Sequence, residues 1–157
     1  MSEVKTGLER LVADPPTGLV RADLGLLANQ ASVGPGLEHA ITLIDRAMPD
    51  RLKKIFGPQH GFAGEKQDNM VESEHGIEAR AGRPIFSLYG QTRRLTPEML
   101  AGLDALLIDL VDVGTRVYTF AQTVAYCLEA AAEAGLKVIV LDRPNPVSYT
   151  HLTLPTN

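Results

Sequence analysis

The feature that most constrains the fold is a continuous apolar run at 105–111, interrupted only by Asp109. Runs of this kind are typical of a strand in a parallel sheet that is covered on both faces. A second strand is predicted at 137–141. Between the two, apolar residues at helical spacing predict a long amphipathic helix that ends at Gly135, and these residues are Val117, Phe120, Val124, Leu128 and Ala131. A strand, a helix and a strand in this order predict a βαβ unit.

The same alternation extends along the rest of the chain. Further strands are predicted at 24–29, 52–56 and 84–88. Apolar spacing predicts helices at 6–13 and 37–48, and Thr96 followed by Pro97 is a typical start of a third. The sequence therefore predicts an α/β fold, a Rossmann-like domain with a largely parallel sheet flanked by helices.

Composition excludes several classes of protein. With 45% hydrophobic residues, a chain of 157 residues can bury a core, and its net charge of −4 gives no footprint for nucleic acid or an anionic membrane. No apolar run is long enough to span a membrane, and residues 1–14 lack the apolar stretch of a signal peptide. The single Cys127 allows no intrachain disulfide. We therefore expect a cytoplasmic protein, and the sequence leaves its oligomeric state open.

Polar residues follow four of the predicted strands. In open parallel sheets ligands bind beyond the carboxyl ends of the strands, so these residues are candidates for one shared site. In chain order they are Asn29, then Gln59 and His60, then Asp112 with Arg116 and Tyr118, and last Arg143 with Asn145. The stretch 57–83, which contains the second group, shows no sustained period, and loops of this length are usually functional or disordered.

Each group also has a purely structural interpretation. Asn29 suits a turn cap, and His60 between glycines suits a loop histidine bonded to the backbone. Asp112 and Arg116 suit a structural ion pair, and Arg143 suits a brace for the rigid corner at 144–146. Both interpretations remain open at this point.

Several familiar sites are absent from the sequence. It contains neither the glycine-rich fingerprint of dinucleotide binding nor a phosphate-binding loop, and no Gly-x-Ser-x-Gly motif of serine hydrolases. Its four histidines lack paired metal-ligand spacing. We therefore expect neither a cofactor nor a metal.

Five motifs in series resemble the exo-β-N-acetylmuramidase (NamZ-like) family, long catalogued as a domain of unknown function. They are LLANQ at 26–30, FGPQHGF at 56–62, SLYG at 87–90, DLVDVGTRVYT at 109–119 and LDRPNP at 141–146. The resemblance implies a glycoside hydrolase that removes terminal N-acetylmuramic acid from peptidoglycan fragments during cell-wall recycling. It also implies a Rossmann-like amino-terminal domain, a second domain, and an active cleft between them.

One motif departs from the family pattern at a chemically important place. Family members commonly carry Glu-His-Gly where this chain has Gln59, His60 and Gly61. Glutamine cannot act as the catalytic acid, and glycosidases usually need two carboxyl groups. We expect Glu65 or Glu72 to supply one and Asp112 the other. The alternative is a non-catalytic sugar-binding protein on the same scaffold.

The end of the chain departs more strongly. Residues 147–157 resemble a translated sequencing adapter, and a genuine short tail is the alternative. We expect a Rossmann-like domain over 1–146, a non-native tail over 147–157, and a missing second domain. A chain truncated in this way would be inactive.

Overall fold

The computed structural model describes residues 4–58, 76–78, 81–89, 92–113 and 119–144. These residues form six strands: β1 (Leu24–Ala28), β2 (Leu52–Gly57), β3 (Gly76–Ile77), β4 (Pro84–Ser87), β5 (Ala105–Asp109) and β6 (Lys137–Val140). They also form four helices: α1 (Gly7–Ala13), α2 (Ala40–Ala47), α3 (Pro97–Leu100) and α4 (Phe120–Glu133).

The six strands build one sheet in the order β3-β4-β2-β1-β5-β6. The pairs β1–β2, β1–β5, β2–β4 and β5–β6 are parallel, and only β3–β4 is antiparallel. The predicted α/β fold with a largely parallel sheet is confirmed. The sequence did not predict β3, which has two residues and lies within the irregular stretch 57–83.

The core lies on both faces of this sheet, as the apolar strand runs predicted. Leu26 of β1 and Leu107 of β5 pack toward α1 and α2, with Leu8 and Ile44. Their neighbours along the strands face the other way, because successive side chains alternate across a strand. Leu27, Phe56, Leu106, Ile108 and Cys127 form the core beneath α3 and α4.

Local sequence explains where two helices begin. At α1, the Thr6 hydroxyl accepts a hydrogen bond from the Glu9 N–H and the Glu9 carboxylate accepts one from the Thr6 N–H, which is a complete capping box. At α3, Thr96 is the N-cap and Pro97 occupies the first helical position, as predicted. Gly135 follows α4 with a φ of +66°, which favours glycine and ends the helix where expected.

Two predicted boundaries and part of one predicted helix face were wrong. The second helix begins at Ala40 rather than at 37, because Leu37 has a φ of +60° and His39 caps the helix. β5 ends at Asp109 rather than at 111. On α4, Phe120 and Ala131 are buried as predicted, but Leu128 is 43% exposed, and Thr123 and Cys127 complete the buried stripe. Val117 lies outside the described residues.

A buried arginine joins the antiparallel edge of the sheet to α2. Arg83 donates two hydrogen bonds of 2.7 Å to the Asp45 carboxylate and a further one of 3.2 Å to Glu78. These carboxylates, Asp45 first, raise the pKa of Arg83 above its usual value. This cluster lies near the start of β4, away from the strand ends that carry the candidate site.

Candidate functional site

The loop after β1 is built around Asn29. Its Oδ1 accepts a hydrogen bond of 3.0 Å from the Ala31 N–H. Asn29 therefore caps the turn, as its structural interpretation predicted. Since a backbone N–H can only donate, this contact identifies the amide oxygen and orients Nδ2 the opposite way. Asn29 is 2% exposed, and Nδ2 has no hydrogen-bond partner among the described residues. A buried amide N–H₂ group is therefore held at the carboxyl end of β1.

Ser32 and His39 hold this loop against the sheet. The Ser32 hydroxyl accepts from the Asn29 N–H at 3.0 Å and donates to the carbonyl of Asp109 at the end of β5. His39 Nε2 lies 2.9 Å from the Asn29 carbonyl oxygen, and Nδ1 accepts from the Ile41 N–H at 3.3 Å. The neutral tautomer with its proton on Nε2 satisfies both contacts.

Asp109 and Arg143 form the charged centre of the site. The Asp109 side chain is 0% exposed and that of Arg143 is 13% exposed. Arg143 Nε lies 2.5 Å from Oδ1 of Asp109, and Nη2 lies 2.9 Å from Oδ2. Nη2 also donates to the Val33 carbonyl at 3.0 Å. The pair therefore joins the end of β5 to the segments that follow β1 and β6.

The amino-terminal helix supports the segment that carries Arg143. The Gly7 N–H donates a 2.7 Å hydrogen bond to the Asp142 carbonyl. A Cβ at Gly7 would lie 2.4 Å from the Asp142 nitrogen and 2.5 Å from backbone atoms of Leu141. Only glycine permits this approach of α1 to the end of β6.

An open cleft of about 340 Å³ lies beside this centre. Its wall includes the apolar side chains of Leu110, Phe120 and Val124, and its polar groups belong to Asp112, Asp142 and Arg143. The volume is near the lower end of the range for small-molecule sites, roughly 300–1,000 Å³. A cleft with carboxylates and one guanidinium can hydrogen-bond a polyhydroxylated ligand and stabilise positive charge that develops on it.

The structure brings together only part of the predicted site. Asn29, Asp112 and Arg143 follow parallel strands and lie at one edge of the sheet, and Asp112 and Arg143 line the same cleft. Gln59, His60, Glu65, Glu72, Arg116, Tyr118 and Asn145 lie outside the described residues, as does the tail at 147–157. A second cavity of about 360 Å³ lies between α1 and β6, and none of the predicted site residues lines it.

Sequence reasoning missed the residue that orients Arg143. In the sequence Asp109 only interrupts an apolar strand, but a carboxylate inside a buried run requires a charged or hydrogen-bonded partner. That requirement was the available signal. The roles of Ser32 and His39 left no such signal, because serine and histidine are common in loops.

The part of the chain that the structure describes contains neither a candidate metal site nor a candidate membrane-spanning helix. No group of three or more His, Cys, Asp or Glu side chains there is arranged to hold a metal ion. The longest helix there is α4 with 14 residues, and no helix is long and apolar enough to cross a membrane.

Comparison with known proteins decides the family. Residues 24–154 match the model described as "Exo-beta-N-acetylmuramidase NamZ, N-terminal". The chain belongs to this family. The resemblance carried by the five sequence motifs is thereby confirmed.

Relatives of known sequence and structure agree. The chain is 39% identical over 153 residues to the peptidoglycan beta-N-acetylmuramidase NamZ of Bacillus subtilis, covering 98% of this chain and 37% of that protein. Two crystal structures of DUF1343 family proteins from Bacteroides fragilis are also similar. One has a TM-score of 0.80 at 37% identity over 91% of this chain, and the other 0.72 at 29% identity over 92%. The chain spans 35% and 36% of those two proteins, so all three relatives are about two and a half times as long.

Proposed function

We propose that the full-length protein is a glycoside hydrolase that releases terminal N-acetylmuramic acid from peptidoglycan fragments. The observation that carries this proposal is the match to the NamZ amino-terminal family, with 39% identity to a B. subtilis protein named for this activity. The cleft beside the ends of β5 and β6 supports it, because a sugar needs both polar partners and an apolar wall. We place the reaction in the cytoplasm, as a step of cell-wall recycling.

Each proposed residue has a role in hydrolysis of the glycosidic bond. Glu65 or Glu72 donates a proton to the leaving oxygen, water adds to the sugar carbon as the bond breaks, and the proton that this water loses passes to a carboxylate. Asp112 is the second carboxyl group. Asn29, Gln59, His60, Arg116, Tyr118, Arg143 and Asn145 bind the substrate. The reaction requires neither a metal nor a cofactor.

The second candidate function is sugar binding without catalysis. Gln59 favours it, because glutamine stands where family members commonly carry the glutamate of Glu-His-Gly. A protein of this kind would bind N-acetylmuramic acid and leave the glycoside intact.

We further propose that residues 1–146 supply only one side of the cleft, with 147–157 as a non-native tail. A cleft built by two domains cannot position a sugar with one of them, so the 157-residue chain is inactive on its own. The proposed function is tested with a chromogenic β-glycoside of N-acetylmuramic acid, supplied to the full-length protein and to the 157-residue chain. Turnover by the full-length protein alone supports both proposals. Binding without turnover supports the second candidate, and equal turnover by the short chain overturns the two-domain cleft.

A further inference from the structure

The loop after β4 carries a second polar feature that the proposed mechanism does not use. Tyr89 follows β4 within the motif SLYG, and the guanidinium carbon of Arg93 lies 5.1 Å from the centre of its ring. Arg93 is exposed. Cation–π contacts of this kind hold a guanidinium in place without occupying its N–H donors with an acceptor.

Hydrogen bonds hold the described residues before and after Arg93. Before it, the Leu88 N–H donates to the Gly57 carbonyl at 2.8 Å, and the Tyr89 N–H donates to Ser87 Oγ at 3.2 Å. After it, Thr92 Oγ1 accepts from the Arg94 N–H at 3.1 Å and donates to the Arg94 carbonyl at 2.8 Å. Hydrogen bonds therefore hold the described parts of the loop, which end at Tyr89 and resume at Thr92.

Charge distinguishes Arg93 from the arginine beside it. Arg94 stacks on Tyr126 at 4.4 Å and forms an ion pair of 2.9 Å with Glu129. No carboxylate of the described residues lies within ion-pair distance of Arg93. An arginine that is oriented and has no carboxylate partner in the described part of the chain is suited to bind an anion through two parallel N–H···O bonds.

The loop lies at the same edge of the sheet as the candidate site, and β2 and β1 separate its strand from β5, beside whose end the described cleft lies. β4 is the parallel neighbour of β2, so both strands end at the same edge of the sheet. Neighbouring strands are roughly 4.8 Å apart. The Arg93 loop therefore begins one strand away from the end of β2, the strand that precedes Gln59 and His60.

We propose that Arg93, held over Tyr89, binds the carboxylate of an acidic sugar and so selects N-acetylmuramic acid over N-acetylglucosamine. The two sugars differ by the lactyl ether, whose carboxylate only the former carries. This inference rests on the proposed function and assigns a specificity-determining residue for the same reaction.

The test uses the full-length protein and two chromogenic glycosides, N-acetylmuramic acid and its lactyl methyl ester. Arg93→Gln lowers kcat/KM for the acid roughly ten- to hundred-fold, mainly through KM, because a charged hydrogen bond is lost. It leaves kcat/KM for the ester unchanged. Arg94→Gln is the matched control and changes neither. Equal losses on acid and ester, no loss on the acid, or an equal loss in Arg94→Gln would overturn the role of Arg93.

A second measurement separates this inference from the proposed function. If the wild type hydrolyses neither glycoside, the proposed function fails, and calorimetric binding of free N-acetylmuramic acid and N-acetylglucosamine decides the role of Arg93. The wild type then prefers the acid at least ten-fold, and Arg93→Gln binds both sugars equally. Equal binding of both sugars by the wild type contradicts the inference.

Discussion

Arg143 donates two hydrogen bonds to the carboxylate of Asp109, at 2.5 Å and 2.9 Å, and Asp109 is fully buried at the end of β5. A third hydrogen bond from Arg143 reaches the Val33 carbonyl at 3.0 Å. One guanidinium thus connects the end of β5 with the loops that follow β1 and β6 at the carboxyl edge of the sheet. The geometry of the candidate cleft depends on this pair.

Removing the arginine leaves a buried carboxylate without its partner. We expect Arg143→Met to lower the free energy of unfolding by about 3–5 kcal/mol, and Asp109→Asn in the same chain to restore part of the loss. Equilibrium urea unfolding measures both. The control is Arg46→Met, which breaks an exposed pair with Glu38, and it should have a much smaller effect. Equal losses in the two arginine variants would contradict the structural role of the buried pair.

Substitution of Gly7 tests the contact between α1 and the segment before Arg143. In a helix with free space around the position, replacing glycine with alanine stabilises the helix, because alanine has the higher helix propensity. Here the new Cβ would lie 2.4 Å from the Asp142 backbone nitrogen, so Gly7→Ala should destabilise by about 1–3 kcal/mol. Gly18→Ala, with no atom within 4 Å of the added Cβ, is the control and should be nearly neutral. Stabilisation by Gly7→Ala in thermal unfolding would show that α1 does not pack as described.

Cys127 reports on the integrity of the core beneath α4. It is 1% exposed, and burial raises the pKa of its thiol from 9.0 to about 12. At pH 8 we expect no reaction with Ellman's reagent until denaturant is added. Because the folded pKa is raised, the contribution of this group to stability is complete below pH 9 and is lost as the pH rises toward 12. Reaction of the native protein at the rate of a free thiol would contradict the burial of Cys127.

Much of the fold could be predicted because strands and helices leave local patterns. The apolar run that predicts β5 lies within that strand, and Thr96 with Pro97, which predict the start of α3, are the residues at which the helix begins. The pairing of Arg83 with Asp45 spans 38 residues, and no local pattern encodes it. Leu37 was assigned to a helix because its apolar side chain continued the spacing, but it is 81% exposed in a turn.

The candidate site was less accessible to sequence reasoning. Strand ends correctly placed Asn29, Asp112 and Arg143 at one edge, since that follows from parallel topology alone. Spacing could not identify the carboxylate that pairs with Arg143. Asp109 ends β5 and Asp112 follows it by only three residues, so either could reach the segment after β6. The stacking of Arg93 on Tyr89 depends on side-chain geometry, which spacing does not specify.

Substitutions at three positions identify the catalytic acid in the full-length protein. If Glu65 is the catalytic acid, Glu65→Gln abolishes turnover of the chromogenic muramide. In that case Glu72→Gln does not abolish turnover, and Gln59→Glu does not raise it. If the catalytic acid was lost by the replacement of glutamate with Gln59, Gln59→Glu restores it and raises kcat. General acid catalysis typically contributes roughly 10²–10⁴-fold to the rate, which is the gain we expect. Activity that is unchanged in all three variants would contradict the proposed set of carboxylates.

The most direct test of the proposed function is mass spectrometry of the products that the full-length protein forms from a peptidoglycan disaccharide with N-acetylmuramic acid at its non-reducing end. We predict equimolar release of free N-acetylmuramic acid and N-acetylglucosamine, with the gain of one water molecule per bond cleaved. An unchanged disaccharide that nevertheless binds the protein would contradict catalysis and leave sugar binding as the function of this fold.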